Sequence, residues 1–138
     1  MIDNDRIKHI FSVARIMKDN AENVGLDPKE MFTLGLLHDI GYEFGDSEEH
    51  HLNGYNILKK QNYSYAKEVL YHGKPTNEYY SKALDLLNFA DMHVDKKGNY
   101  VEFSDRLEDI KNRRGEDSPH YRNSKKIIDG LKERKFLS

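Results

Sequence analysis

The chain has 138 residues, 33% of them charged, with 22 Lys and Arg against 24 Asp and Glu and a formal net charge of −2. That length suits one domain spanning 1–138, and the even charge balance excludes the overall basic field of a general nucleic-acid binder. There is no cysteine, which excludes disulfides, thiolate metal sites and cysteine nucleophiles and leaves histidine and carboxylates for any metal chemistry.

The first helix is predicted over 5–22, where Ile7, Ile10, Phe11, Ala14 and Met17 recur at helical spacing before Asn23-Val24-Gly25 closes the segment. The second opens with Asp27 as N-cap, Pro28 at the first helical position and Glu30 three residues after the cap, and runs through Leu34, Leu36 and Leu37 to His38. Gly41 and Gly45 bracket a turn. Ser47 is predicted to cap a third helix carrying Leu52, Tyr55, Ile57 and Leu58, and Ser64 a short fourth through Ala66, Val69 and Leu70. A fifth is predicted over 77–92 with Ala83, Leu84, Leu87 and Ala90 inward, followed by a turn at 95–99. Amphipathic segments follow at 103–113 and, behind Ser118-Pro119, at 121–134. The fold class is all-α, a bundle of six to seven helices; whether Phe136 and Leu137 fray or dock is left open. No segment approaches the roughly 20 apolar residues of a membrane span, and the start of the chain lacks a basic then apolar pattern, so a cytoplasmic protein is expected.

Several metal-competent residues fall on the apolar stripes. His38 continues the stripe of Leu34 and Leu37, with Asp39 turned about 100° away. His9 shares a stripe with Val13 and Ile16, His72 with Tyr65 and Val69, Asp91 with Leu84 and Leu87, and His50 with Gly54 and Ile57. Burying an aspartate and several imidazoles without partners costs several kcal/mol, so a shared cation or a closed hydrogen-bond network must join them, and a metal is the simpler account. Neutral imidazole and anionic carboxylate together suit iron, manganese, zinc or a similar first-row ion. A carboxylate beside a ligating histidine, as in His38-Asp39, can also bridge a second ion, and ions about 3.5–4 Å apart activate water and hold phosphoryl oxygens. That chemistry is hydrolysis of a phosphate ester or anhydride.

The ordered set is His9, Leu37-His38-Asp39-Ile40-Gly41, His50 with three residues between it and Gly54, Tyr71-His72-Gly73, and Asn88-Phe89-Ala90-Asp91. It resembles the HD superfamily of metal-dependent phosphohydrolases, and its layout is similar to that of the small bacterial hydrolases that split diadenosine tetraphosphate symmetrically. The resemblance implies a helical bundle of the HD type. It also implies one or two divalent or trivalent ions, with His9, His38, Asp39 and Asp91 at the first and His50 and His72 at the second, bridged by Asp39. His38 and Asp39 would then be catalytic, Asp39 accepting a hydrogen bond from a nucleophilic metal-bound water or hydroxide. The implied partner is a small phosphate-containing substrate, nucleotide-like, with no nucleic acid and no membrane; a homodimer stays open. The pattern is not matched beyond Asp91.

For phosphate contact the candidates are Lys74, best placed beside His72, then Arg15, Arg106, Arg113 and Arg122; Glu43 is read as an exposed turn glutamate, with orientation of a water or a supporting histidine as the alternative. His51, sharing a face with Tyr55 and Leu58, is a supporting or surface residue, while His93 and His120 are expected at the surface. Two other readings stay open: a metal- or nucleotide-binding regulatory module with little turnover, and a metal-free interaction protein whose histidines satisfy one another.

Overall fold

A computed structural model describes residues 4–43 and 50–138. Among the described residues seven α-helices follow in order: α1 (Asn4–Asn20), α2 (Pro28–Leu37), α3 (His50–Lys60), α4 (Ala66–Tyr71), α5 (Lys82–Met92), α6 (Phe103–Arg114) and α7 (Pro119–Glu133). Two 3-10 turns, Glu22–Val24 and Ile40–Glu43, lie before α2 and α3. The all-α class predicted from periodicity is the class observed, and the described residues contain no strand beyond an isolated bridge between Val94 and Tyr100.

Capping chemistry sets several helix starts. Asp27 accepts from the Glu30 amide at 2.9 Å with Pro28 following, and Ser118 accepts from the Tyr121 amide at 3.1 Å with Pro119 following, each satisfying an amide that no earlier turn can reach. The fifth helix starts later than predicted. Ser81 is extended and accepts from the Leu84 amide at 2.9 Å, so the helix begins at Lys82, five residues after Asn77. Ser64 does not cap α4, whose N-cap is Tyr65, and the predicted cap Ser47 lies outside the described residues.

The core joins Val13 and Met17 of α1, Met31 and Leu34 of α2, Leu58 of α3, Val69 of α4 and Leu86, Leu87 and Ala90 of α5. Phe136 and Leu137 dock against it. Arg134 fastens the end of α7 to the buried Asp85 of α5 through contacts of 2.8 and 3.2 Å.

Two close approaches register α1 against its neighbours. A Cβ at Gly35 would stand 2.4 Å from Ala14 Cα, so α2 lies directly on the α1 backbone there. Gly98, with φ of +89°, packs against Lys8, where a Cβ would meet the Lys8 side chain at 2.7 Å, and its carbonyl accepts from Ser12 Oγ at 2.6 Å. These contacts hold α1 between α2 and the 95–99 turn, which places His9 opposite His38 and Asp91. Gly35→Ala is expected to force the two helices apart and cost about 2–3 kcal/mol, read as a lower urea midpoint; an unchanged midpoint would contradict this packing.

Candidate metal centre

His38 and His72 occupy equivalent local positions. Each is the C-cap of its helix, α2 and α4 respectively, where backbone carbonyls lack intrahelical donors. Each ring takes up the carbonyl three residues back: His38 Nδ1 lies 2.7 Å from the Gly35 oxygen and His72 Nδ1 2.6 Å from the Val69 oxygen. His9 does the same across the fold, with Nδ1 2.9 Å from the Asp95 oxygen in the turn after α5. A carbonyl only accepts, so Nδ1 carries the proton in all three rings and the opposite nitrogen, Nε2, is the one offered to the interior.

Those Nε2 atoms converge on two buried carboxylates. His9 Nε2 is 2.8 Å from Asp91 Oδ1 and 3.9 Å from Asp39 Oδ2. His38 Nε2 is 3.2 Å from Asp39 Oδ2 and 3.6 Å from Asp91 Oδ1, and His72 Nε2 is 3.4 Å from Asp39 Oδ1. Asp39 therefore spans the cluster, one oxygen toward His9 and His38 and the other toward His72. The ligand atoms of His9, His38 and Asp39 lie within 4.8 Å of one another, as do those of His38, His72 and Asp91.

Burial works against charge on His38, Asp39 and Asp91, yet mutual attraction prevails. Burial alone would lower the His38 pKa, but the Asp39 and Asp91 carboxylates raise it well above the ordinary value. Burial would raise both aspartates; His38 and His72 hold Asp39 well below the usual range, and His38 and His9 do the same for Asp91. His38 Nε2 is nevertheless fully buried with no aligned hydrogen-bond partner. Unprotonated nitrogens facing carboxylates need positive charge between them, either protons or a metal ion. The donor set, imidazole Nε2 and carboxylate oxygen held in place by outer hydrogen bonds, fits a first-row metal.

Of the residues predicted for this site, His9, His38, Asp39, His72 and Asp91 are brought together. The side chains of His50 and Glu43 lie outside the described residues. Lys74 is exposed just beyond Gly73, whose amide donates to Asn88 Oδ1 at 2.8 Å and ties the end of α4 to α5. Arg15, Arg113 and Arg122 are exposed, whereas Arg106 is buried.

Three features were not anticipated, and a fourth concerns His51, whose spacing leaves a supporting and a surface role open. Arg6, one turn before His9, places Nη1 3.5 Å from Asp39 Oδ2; the three-residue spacing was its only signal. The His51 ring lies 4.2 Å from that of His72. His93, expected at the surface, is buried, because α5 ends at Met92 and His93 leaves the helical register. It exchanges backbone and side-chain contacts with Val101 and stacks on Phe103 at 4.0 Å and Tyr100 at 5.0 Å. His120, also expected at the surface, is half-buried, and its pKa is lowered by burial and by Arg114 and Arg106, against an opposing pull from Asp91.

The HD domain family matches residues 6–134, nearly the whole chain. No curated protein and no solved structure matches it.

The charge pattern predicts how metal and pH trade. The raised His38 pKa contributes stability that is complete below the ordinary imidazole value of about 6.5 and is lost as pH rises through the raised value. The lowered carboxyls of Asp39 and Asp91 contribute stability present above about 3.9 and lost as pH falls through their lowered values. A metal ion must displace the His38 proton, so the gap in Tm between manganese-loaded and chelator-treated protein should widen from pH 5.5 to pH 8. A gap independent of pH would contradict the assignment.

Proposed function

The chain belongs to the HD domain family, a family mostly of metal-dependent phosphohydrolases, and we propose that it hydrolyses a phosphate ester or anhydride in a small, nucleotide-like substrate. The observation that carries this reading is the shared orientation of His9, His38 and His72, each pinned through Nδ1 so that Nε2 faces Asp39 and Asp91. A network of histidines satisfying one another would not leave His38 Nε2 buried without an aligned hydrogen-bond partner.

In this reading His9, His38, Asp39 and Asp91 hold one ion, iron or manganese, and Asp39 with His72 and His50 holds a second. When bound, such ions supply an activated water and positive charge against the phosphoryl oxygens. Asp39 is the catalytic carboxylate: its two oxygens face different histidines, and it accepts a hydrogen bond from the attacking water. Arg6, whose side chain is 31% exposed, places Nη1 3.5 Å from Asp39 Oδ2 and adds positive charge beside it. His38, the most enclosed member of the cluster, is the catalytic histidine, fixing Asp39 through their 3.2 Å contact. Lys74, exposed on the same connection as His72, contacts substrate phosphate.

No described helix is long and apolar enough to cross a membrane, and a cytoplasmic enzyme is proposed. The likeness in layout to symmetrical diadenosine tetraphosphate hydrolases makes dinucleoside polyphosphates the first substrates to try. Protein reconstituted with iron or manganese should release nucleotide or phosphate from one of these or from a mononucleotide. Asp39→Ala should lower that rate at least about 100-fold and reduce bound metal together. Full activity in the variant would overturn the mechanism.

A further inference from the structure

Arg106 is a cation that the fold buries without matching. It lies on α6, is 7% exposed, and neither Nε nor Nη1 has a hydrogen-bond partner among the described residues. Its ion pair is with Asp109, whose Oδ2 is 3.9 Å from Nη1 and is held at 3.1 Å by both Nε and Nη2 of Arg113. That carboxylate is shared and is 38% exposed, so it does not compensate a desolvated guanidinium. Arg15, Arg113 and Arg122 are instead exposed, and Arg122 Nη1 donates to the Asp117 carbonyl at 2.6 Å.

The surroundings of Arg106 lead back to the metal cluster. Phe103, one turn earlier on α6, stacks at 4.0 Å on His93, two residues from Asp91. The Arg106 charge is felt by Asp95, whose carbonyl pins His9, and by His120 at the start of α7, which also feels Asp91. Arg106 therefore lies on the helix that packs, through Phe103, against the end of α5 carrying Asp91 and His93, on the part of the chain whose sequence pattern gave no role.

We propose that Arg106 forms an anion subsite on the α6 side of the metal cluster, holding a phosphate of the substrate other than the one cleaved. A guanidinium kept out of water and short of partners is set to donate charge-assisted hydrogen bonds to phosphate oxygens. The subsite selects substrates with more than one phosphate or with a phosphate remote from the scissile bond. It rests on the phosphohydrolase reading above.

The test is Arg106→Met in metal-loaded protein, with three readouts: calorimetric titration with inorganic phosphate, the KM and kcat of hydrolysis, and Tm. The variant is expected to bind phosphate about tenfold more weakly and to show a KM about tenfold higher, with kcat and metal content little changed. Its Tm should hold or rise, because an uncompensated buried charge has been removed. Unchanged phosphate affinity and KM would overturn the subsite, and so would a lower Tm accompanied by loss of metal, which marks a structural cation. Arg106→Lys keeps the charge without the planar guanidinium and should give an intermediate KM. If Arg106→Met fails to fold, a wild-type KM in Arg106→Lys overturns the proposal. Wild-type protein that turns over no nucleotide while Arg106→Met loses phosphate binding supports the subsite and removes the hydrolase reading. Normal wild-type turnover with an indifferent Arg106→Met does the reverse.

Discussion

Imidazole rings anchored through Nδ1 to backbone carbonyls set the geometry of the interior. For His38 and His72 the carbonyls belong to the last turns of α2 and α4, where the helix has no donor of its own to offer. One hydrogen bond thus closes a helix end and aims the opposite nitrogen inward. For His9 the carbonyl is that of Asp95, delivered by a turn that Gly98 presses onto α1. If any of these anchors is lost, the ring is free to rotate and Nε2 no longer faces the carboxylates.

The electrostatics follow from that geometry. Two aspartates and two helix C-termini gather where water is scarce, and the negative ends of helix dipoles add to the carboxylates. Without a metal, the cluster answers by holding a proton on His38 and keeping Asp39 and Asp91 ionised despite their burial. Arg6 adds positive charge beside Asp39. A metal ion supplies the same positive charge with better geometry, since Nε2 lone pairs and carboxylate oxygens then point at one centre.

Helical periodicity was enough to read most of the cluster in the sequence, because His9, His38, His72 and Asp91 lie on helices or at their ends with apolar neighbours one turn away. It failed where the chain leaves the helix. His93 follows Asp91 by two residues and would point outward if α5 continued, but the helix stops at Met92 and the Val94–Tyr100 bridge folds it among Phe89, Tyr100 and Phe103. The start of α5 was misplaced for a related reason: no apolar period distinguishes the non-helical 77–80 segment from a first helical turn, and only the Ser81 cap decides. Arg6 and Arg106 were indistinguishable by type from the exposed arginines. What separates them is tertiary: Asp39 lies beside one, and α6 packing closes over the other.

The central claim is that three Nε2 nitrogens and two carboxylates form a metal centre. X-ray absorption at the metal edge of manganese- or iron-loaded protein tests it most directly. The account predicts a first shell of nitrogen and oxygen only, at about 2.0–2.2 Å as for a typical first-row ion, with the outer-shell scattering of about two imidazoles per ion. A first shell without imidazole, or metal that washes away leaving no signal above background, would contradict it.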